Sequence, residues 1–267
     1  MTNGQRALAG VIRTEFRMQW RRRAMWFAMV VTGLFFLVLF WTRFTNVLTR
    51  DTPTSAVGLW TAVLNVFLPI AFGVLLIDRL PRDRSLHTND LLDATPTSLT
   101  IRIWGKTIGA GAATIVPFLL IEAAGMLYLA VHMHAPEVLW LGPAAAATIT
   151  LPALVFVAVT CVMLSGLFSV AVARISFVGF WLWMELPPFR IPSLSGTVVA
   201  PQGGYAVLGL FGAHRFPAGY GGLLLPAHLL APPVSTVTAA ISIALIIAMA
   251  IAVWTAGPVF IQHRYTA

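Results

Sequence analysis

The sequence predicts an all-α polytopic membrane protein, and three observations predict it. Of 267 residues, 58% are apolar and only 10% are charged, whereas a soluble domain carries about 25% charged residues. Six apolar stretches, one of them short, punctuate the chain, and a helix crossing hydrocarbon needs about 20 such residues. The basic residues are unevenly placed: Arg6, Arg13, Arg17, Arg21, Arg22 and Arg23 crowd the start. A formal charge of +8 on a soluble chain would point to nucleic acid. Beside long apolar runs it is an orientation signal, and no nucleic-acid partner is expected. The composition excludes a free cytosolic enzyme and a disordered chain. Residues 1–267 read as one transmembrane domain.

The elements follow in order. Residues 5–22 lack proline and carry a helical pattern. At about 100° per residue, Leu8, Val11, Ile12, Phe16, Met18 and Trp20 share a broad face, while Arg6, Arg13, Arg17 and Arg21 occupy a narrow opposite arc. This is an amphipathic helix lying on the bilayer, with Trp20 at headgroup depth and the arginines toward anionic phosphates. Two readings stand: a basic membrane anchor, or a helix that also contacts a partner protein. Glu15 points into the apolar arc, where Arg22 is the expected partner. Span one, Ala24 to Thr42, is too long for a cleaved signal and reads as an uncleaved anchor.

Span two runs from Val57 to Ile77 and contains Asn65 and Pro69. Span three, Thr107 to Val131, contains Pro117 and Glu122. Span four, Pro143 to about Val172, holds Cys161, the only cysteine, so no internal disulfide or thiolate metal site is expected. Arg174 is expected to mark a sharp turn before the short span five, Ile175 to Leu186. Span six, Thr236 to Ala256, has neither charge nor proline. With the N-terminus inside, thirteen basic residues fall on cytoplasmic segments and four on outer ones. That bias assigns the chain to the cell membrane with both termini cytoplasmic.

The connection from Asp78 to Trp104 is the most informative loop. Thr88 or Asn89 suits the cap of a short helix, and Asp90 suits its first turn. Leu91 and Leu92 follow as an apolar knob, and Pro96 ends the helix. The leucines either dock into a groove of another protein or pack back on the bundle.

The run Thr88-Asn89-Asp90-Leu91-Leu92-Asp93-Ala94-Thr95-Pro96-Thr97-Ser98, followed by Gly105-Lys106, resembles the cytoplasmic loop of type-2 ABC transporter permeases. That family shows E-R-x-x-G-T-x-E-x-L-L-x-x-T-P-x-S before a Gly-Lys at the third span. Here Asp83-Arg84 stands at the acidic-basic lead, His87 replaces the glycine, and one residue is missing before the leucines. The resemblance implies a permease domain with a lead helix at 5–22, a coupling loop at 78–104 and a re-entrant outer hairpin within 187–235. It also implies a second permease, identical or related, and a cytoplasmic ABC ATPase whose cleft receives Thr88, Asn89, Asp90, Leu91 and Leu92. ATP and magnesium would be bound by that ATPase, and this chain would bind no cofactor. Gly105-Lys106-Thr107 looks like the end of a phosphate-binding loop, but Thr100 stands where the first glycine belongs. Lys106 is expected to snorkel to the inner interface.

Residues 187–235 hold eight of seventeen prolines and eight of twenty-one glycines, yet remain apolar. Two short half-helices dipping into the outer leaflet fit that composition. They either narrow an exit or plug the bundle without touching substrate. Glu122 lies deep in span three, where a charge normally faces the bundle interior. It is a candidate for the substrate path or for a structural pair, with protonation as a third option, and Glu185, Arg190 and Arg215 are expected near its level. Asn65 reads chiefly as helix-to-helix glue, with the substrate path as its other reading. His132 and His134 do not face one another on a helix, so no metal site is expected. The leading function is the permease subunit of an ATP-driven exporter. The alternatives are an intramembrane enzyme, against which Ser193-Leu194-Ser195-Gly196 is not G-x-S-G and neither H-E-x-x-H nor paired acids occur in a span, and a membrane scaffold or immunity protein without transport.

Overall fold

The computed structural model describes residues 3–43, 52–81, 98–185, 193–213 and 230–266. Its elements are all helical, with no strand among the described residues. In chain order they are α1 (Asn3–Trp20), α2 (Arg23–Arg43), α3 (Pro53–Ile77) and α4 (Leu99–His132). They continue with α5 (Val138–Leu167), α6 (Val170–Glu185), α7 (Gly204–Gly209) and α8 (Thr236–Thr266). Four of these, α3, α4, α5 and α8, are long and apolar enough to cross a membrane. α2 has 21 residues and α6 has 16.

α3 is the axis of the bundle, packed against α2, α4, α5, α6 and α7. Its start is set locally. The Thr52 hydroxyl accepts from the Ser55 amide while Pro53 opens the first turn, where no partner for its missing N–H is needed. Ser98 caps α4 in the same way through the Ile101 amide. α4 therefore begins eight residues before the expected span and, at 34 residues, is longer than a bilayer core requires.

α5 is one helix with a widened turn. Ala146–Thr150 form a π-helical segment in which the Leu151 amide reaches back to Ala146 O. Pro152 follows at once and has no N–H to offer the ladder, so the turn relaxes here. α5 ends at Phe168, whose backbone is extended. The turn expected at Arg174 thus falls six residues earlier, and Arg174 lies inside α6. α8 lies on α5 through two close approaches: Gly166 meets Ile261, and Gly257 meets Met163. A β-carbon at either glycine would come within 2.5 Å of that neighbour, so the absent side chains set the helix spacing.

Of the segment 187–235, residues 193–213 and 230–235 are described. Over the described part they form turns and the short helix α7, and the expected pair of half-helices lies partly outside it. Residues 193–211 are mostly buried against the bundle, and side chains take up three backbone carbonyls of the described part. Asn65 donates to Pro201 O, Ser242 to Val198 O, and Tyr205 to Pro232 O. Gly203, at φ +79, adopts the left-handed backbone and rests against Ile149 of the π segment.

Candidate functional site

Two polar clusters interrupt this apolar bundle. The first joins α1 to the helices that flank residues 82–97. α1 lies along α4, and its buried side chains are Glu15 and Gln19, with Leu8, Val11, Ile12 and Phe16 only half-buried. Gly105 and Gly109 of α4 make room: a β-carbon there would lie 2.5 Å from Val11 Cγ1 and from Ile12 O respectively. Glu15 then accepts from Lys106 Nζ at 2.9 Å and pairs with Arg79 at 3.6 Å. Gln19 donates to Thr114 at 2.8 Å. All three charged residues are 6% exposed or less.

Asp78 builds the neighbouring half of this layer. Its carboxylate takes Arg22, at the α1–α2 junction, and Arg174, in the first turns of α6. Two expectations change here. Arg22 pairs with Asp78 rather than Glu15, because Glu15 turns toward α4. Lys106 does not snorkel outward, because Glu15 is within hydrogen-bond reach inside the packing.

The second cluster lies further along α3 and α4. Glu122 is 2% exposed, and one carboxylate oxygen accepts from Thr61 at 3.2 Å and from Thr150 at 3.0 Å. Trp60 donates its indole N–H to the Glu122 carbonyl and lies flat against Gly125. Among the described residues, the partners of the Glu122 carboxylate are these two hydroxyls. Asn65, one turn beyond Thr61, donates to Ile149 O in the π segment and to Pro201 O. Its position is that of a three-way tie between α3, α5 and the 193–213 segment, in line with the expected interhelical glue. Glu185 closes the far side, accepting from the Gln202 amide at 3.0 Å. Arg190 and Arg215 lie outside the described residues.

The remaining sequence-derived positions fall as follows. Thr88, Asn89, Asp90, Leu91 and Leu92 all lie outside the described residues. Arg13 and Arg17 are exposed on α1 and Arg21 just past its end, and Trp20, 38% exposed, stacks on Phe16 and meets Trp26 edge-on. Among the described residues no group of three or more His, Cys, Asp or Glu is gathered to hold a metal ion. Thr61, Thr150 and Gln19 were not singled out from sequence. Thr61 was the most readable, since it stands four residues before Asn65 on the same helix face.

No family model, curated protein or solved structure matches the chain. Fold and clusters together define the class: a protein all-helical over the described residues, with four helices long and apolar enough to cross a membrane and two buried polar clusters.

Proposed function

We propose that the chain is the transmembrane permease subunit of an ATP-driven ABC exporter in the cytoplasmic membrane. It works by alternating access with a second permease and a cytoplasmic ATPase that supplies ATP and magnesium. The observation that carries this reading is the mounting of residues 82–97, which bear the coupling-loop motif. The helix before them ends beside Arg79, the helix after them carries Lys106 two turns from its start, and both cations share Glu15 of α1. Asp78 extends the grip to Arg22 and α6. A displacement of the loop by a partner would therefore move α1, α3, α4 and α6 together, which is what a coupling loop requires.

Six crossings and cytoplasmic termini belong to the same proposal, with contacts between helix ends as their support. Glu15 ties α1 to the loop end of α3 and α4, whereas α3 begins at the opposite end. α2 must therefore run the length of the bundle to connect them. α6 likewise has Arg174 beside Asp78 and Glu185 beside Gln202.

The test is to purify the full chain from native membranes in mild detergent and assay Mg-dependent ATP hydrolysis in the preparation. Wild type is expected to carry the activity, and the double substitution Leu91→Glu/Leu92→Glu is expected to lose it. A wild-type preparation without ATPase activity, or a charged loop that retains it, overturns the reading.

A further inference from the structure

An apolar groove of about 290 Å³ runs between α2 and α4 on the outside of the bundle. Trp26, Met29 and Gly33 line one wall, and Pro117, Leu120 and Ile121 the other. The sequence builds it by subtraction: Gly33 has no side chain to fill the space, and Pro117 interrupts the backbone ladder of α4. Val30, Leu34 and Leu120, at the groove's edges, are each more than half exposed.

We propose that this groove is a binding site for an anionic phospholipid, with one acyl chain between α2 and α4 and the phosphate against Arg21 and Arg23. The inference needs the protein to be membrane-embedded and does not rest on the exporter reading. Charge decides the occupant. Trp26 marks one end of the groove, three residues from Arg23 and therefore on the same helix side. It also donates to Trp20 O and meets the Trp20 ring edge-on at 4.9 Å, which brings Arg21 to the same end. Arg21 and Arg23 are exposed, while Arg22 between them is taken by Asp78. An apolar channel leading to an aromatic pair and two exposed guanidiniums matches a lipid from tail to headgroup. A second copy of the chain fits less well. A two-fold contact at this groove sets each residue against its own symmetry mate's surroundings and draws the arginines of both copies together.

The test reconstitutes the full chain in vesicles of equal phosphatidylglycerol and phosphatidylcholine, re-extracts it mildly and counts retained lipid by native mass spectrometry. Wild type is expected to keep about one phosphatidylglycerol per chain, preferred about thirtyfold, the scale set by two cations near an anionic surface. Arg21→Gln/Arg23→Gln is expected to abolish the preference while leaving a lipid bound. Gly33→Leu fills the groove, since even a β-carbon there lies 3.0 Å from Ile121, and is expected to lose the lipid. The arginine pair is exposed, so its substitution keeps the test sound if Gly33→Leu misfolds. Equal retention of both lipids by wild type, or undiminished retention by folded Gly33→Leu, overturns the proposal. So does a disulfide-linked dimer from Val30→Cys, which would make the groove a contact between copies.

Discussion

Glu15 is the residue on which the loop end of the bundle depends. It is the shared anion for Lys106 and Arg79, all three almost sealed from solvent. Removing one partner of a buried pair costs more than the pair contributes, because the other charge stays buried. Glu15→Gln is therefore expected to destabilise the protein by about 3 kcal/mol, read from denaturant unfolding in detergent. Lys106→Met should cost less, since Arg79 remains beside the carboxylate, and Glu15→Met/Lys106→Met should cost less than the sum of the singles. Additive losses would mean that the two groups do not interact. Glu122 calls for the opposite test. Thr61→Val and Thr150→Val each remove a hydroxyl from a buried acceptor and are expected to cost about 1–3 kcal/mol. Glu122→Gln, which keeps an oxygen for both hydroxyls, should cost less than either. A Glu122→Gln protein less stable than both threonine variants would point to a charge partner instead.

At the scale of the element, α1 shows both what sequence makes legible and what it does not. Its helical pattern was plain, and the exposed faces of Arg13, Arg17 and Arg21 follow from it. The apolar arc is also the docking face, since Val11 and Ile12 meet Gly105 and Gly109 of α4, but the partners that Glu15 and Gln19 find on that stripe were not legible. Pairing between distant segments has no local signature: Glu15 and Lys106 are 91 residues apart. One signal was available in Gly105-Lys106-Thr107-Ile108-Gly109, a small-xxx-small spacing that allows close helix approach. Its Gly-Lys-Thr core drew attention to phosphate binding instead. The widened turn of α5 was equally hidden, since Pro143 and Pro152 warn of a disturbed ladder without saying how it resolves. Gly109→Leu should prise α1 from α4, because even a β-carbon meets Ile12 O at 2.5 Å. The expected loss is about 1–3 kcal/mol, with trypsin cleavage at Arg13 and Arg17 accelerated. Gly10→Leu, where nothing lies within 4 Å, is the control and should cleave like wild type. Unchanged cleavage in Gly109→Leu would mean that α1 is held by other contacts.

At the scale of the molecule, the positions of the helix ends turn the topology into a sharp question. Apolar length identified α3, α4, α5 and α8 directly, because each exceeds the thickness of a bilayer core. Of the other two, α2 reads from sequence as an uncharged span from Ala24 to Thr42 and α6 as a short one, and whether each crosses depends on which ends it joins. If only the four long helices cross, the chain before α3 lies on the same side as the α4–α5 turn at Glu137. If α2 and α6 cross as well, α1 lies on the side opposite Glu137. The Glu15 cluster favours the second arrangement, since it holds α1 against the loop end of α3 and α4, away from that turn. Single substitutions Arg6→Cys, Glu137→Cys and His263→Cys, in a Cys161→Ser background, separate the two. In sealed vesicles of one orientation, a membrane-impermeant maleimide is expected to label Arg6→Cys and His263→Cys from one side and Glu137→Cys from the other. Four crossings would instead place all three on one side. Because the two topologies predict opposite results for Arg6 and Glu137, labelling of both from the same face would remove α2 from the membrane. It would also break the connection between the lead helix and the loop on which the proposed coupling depends.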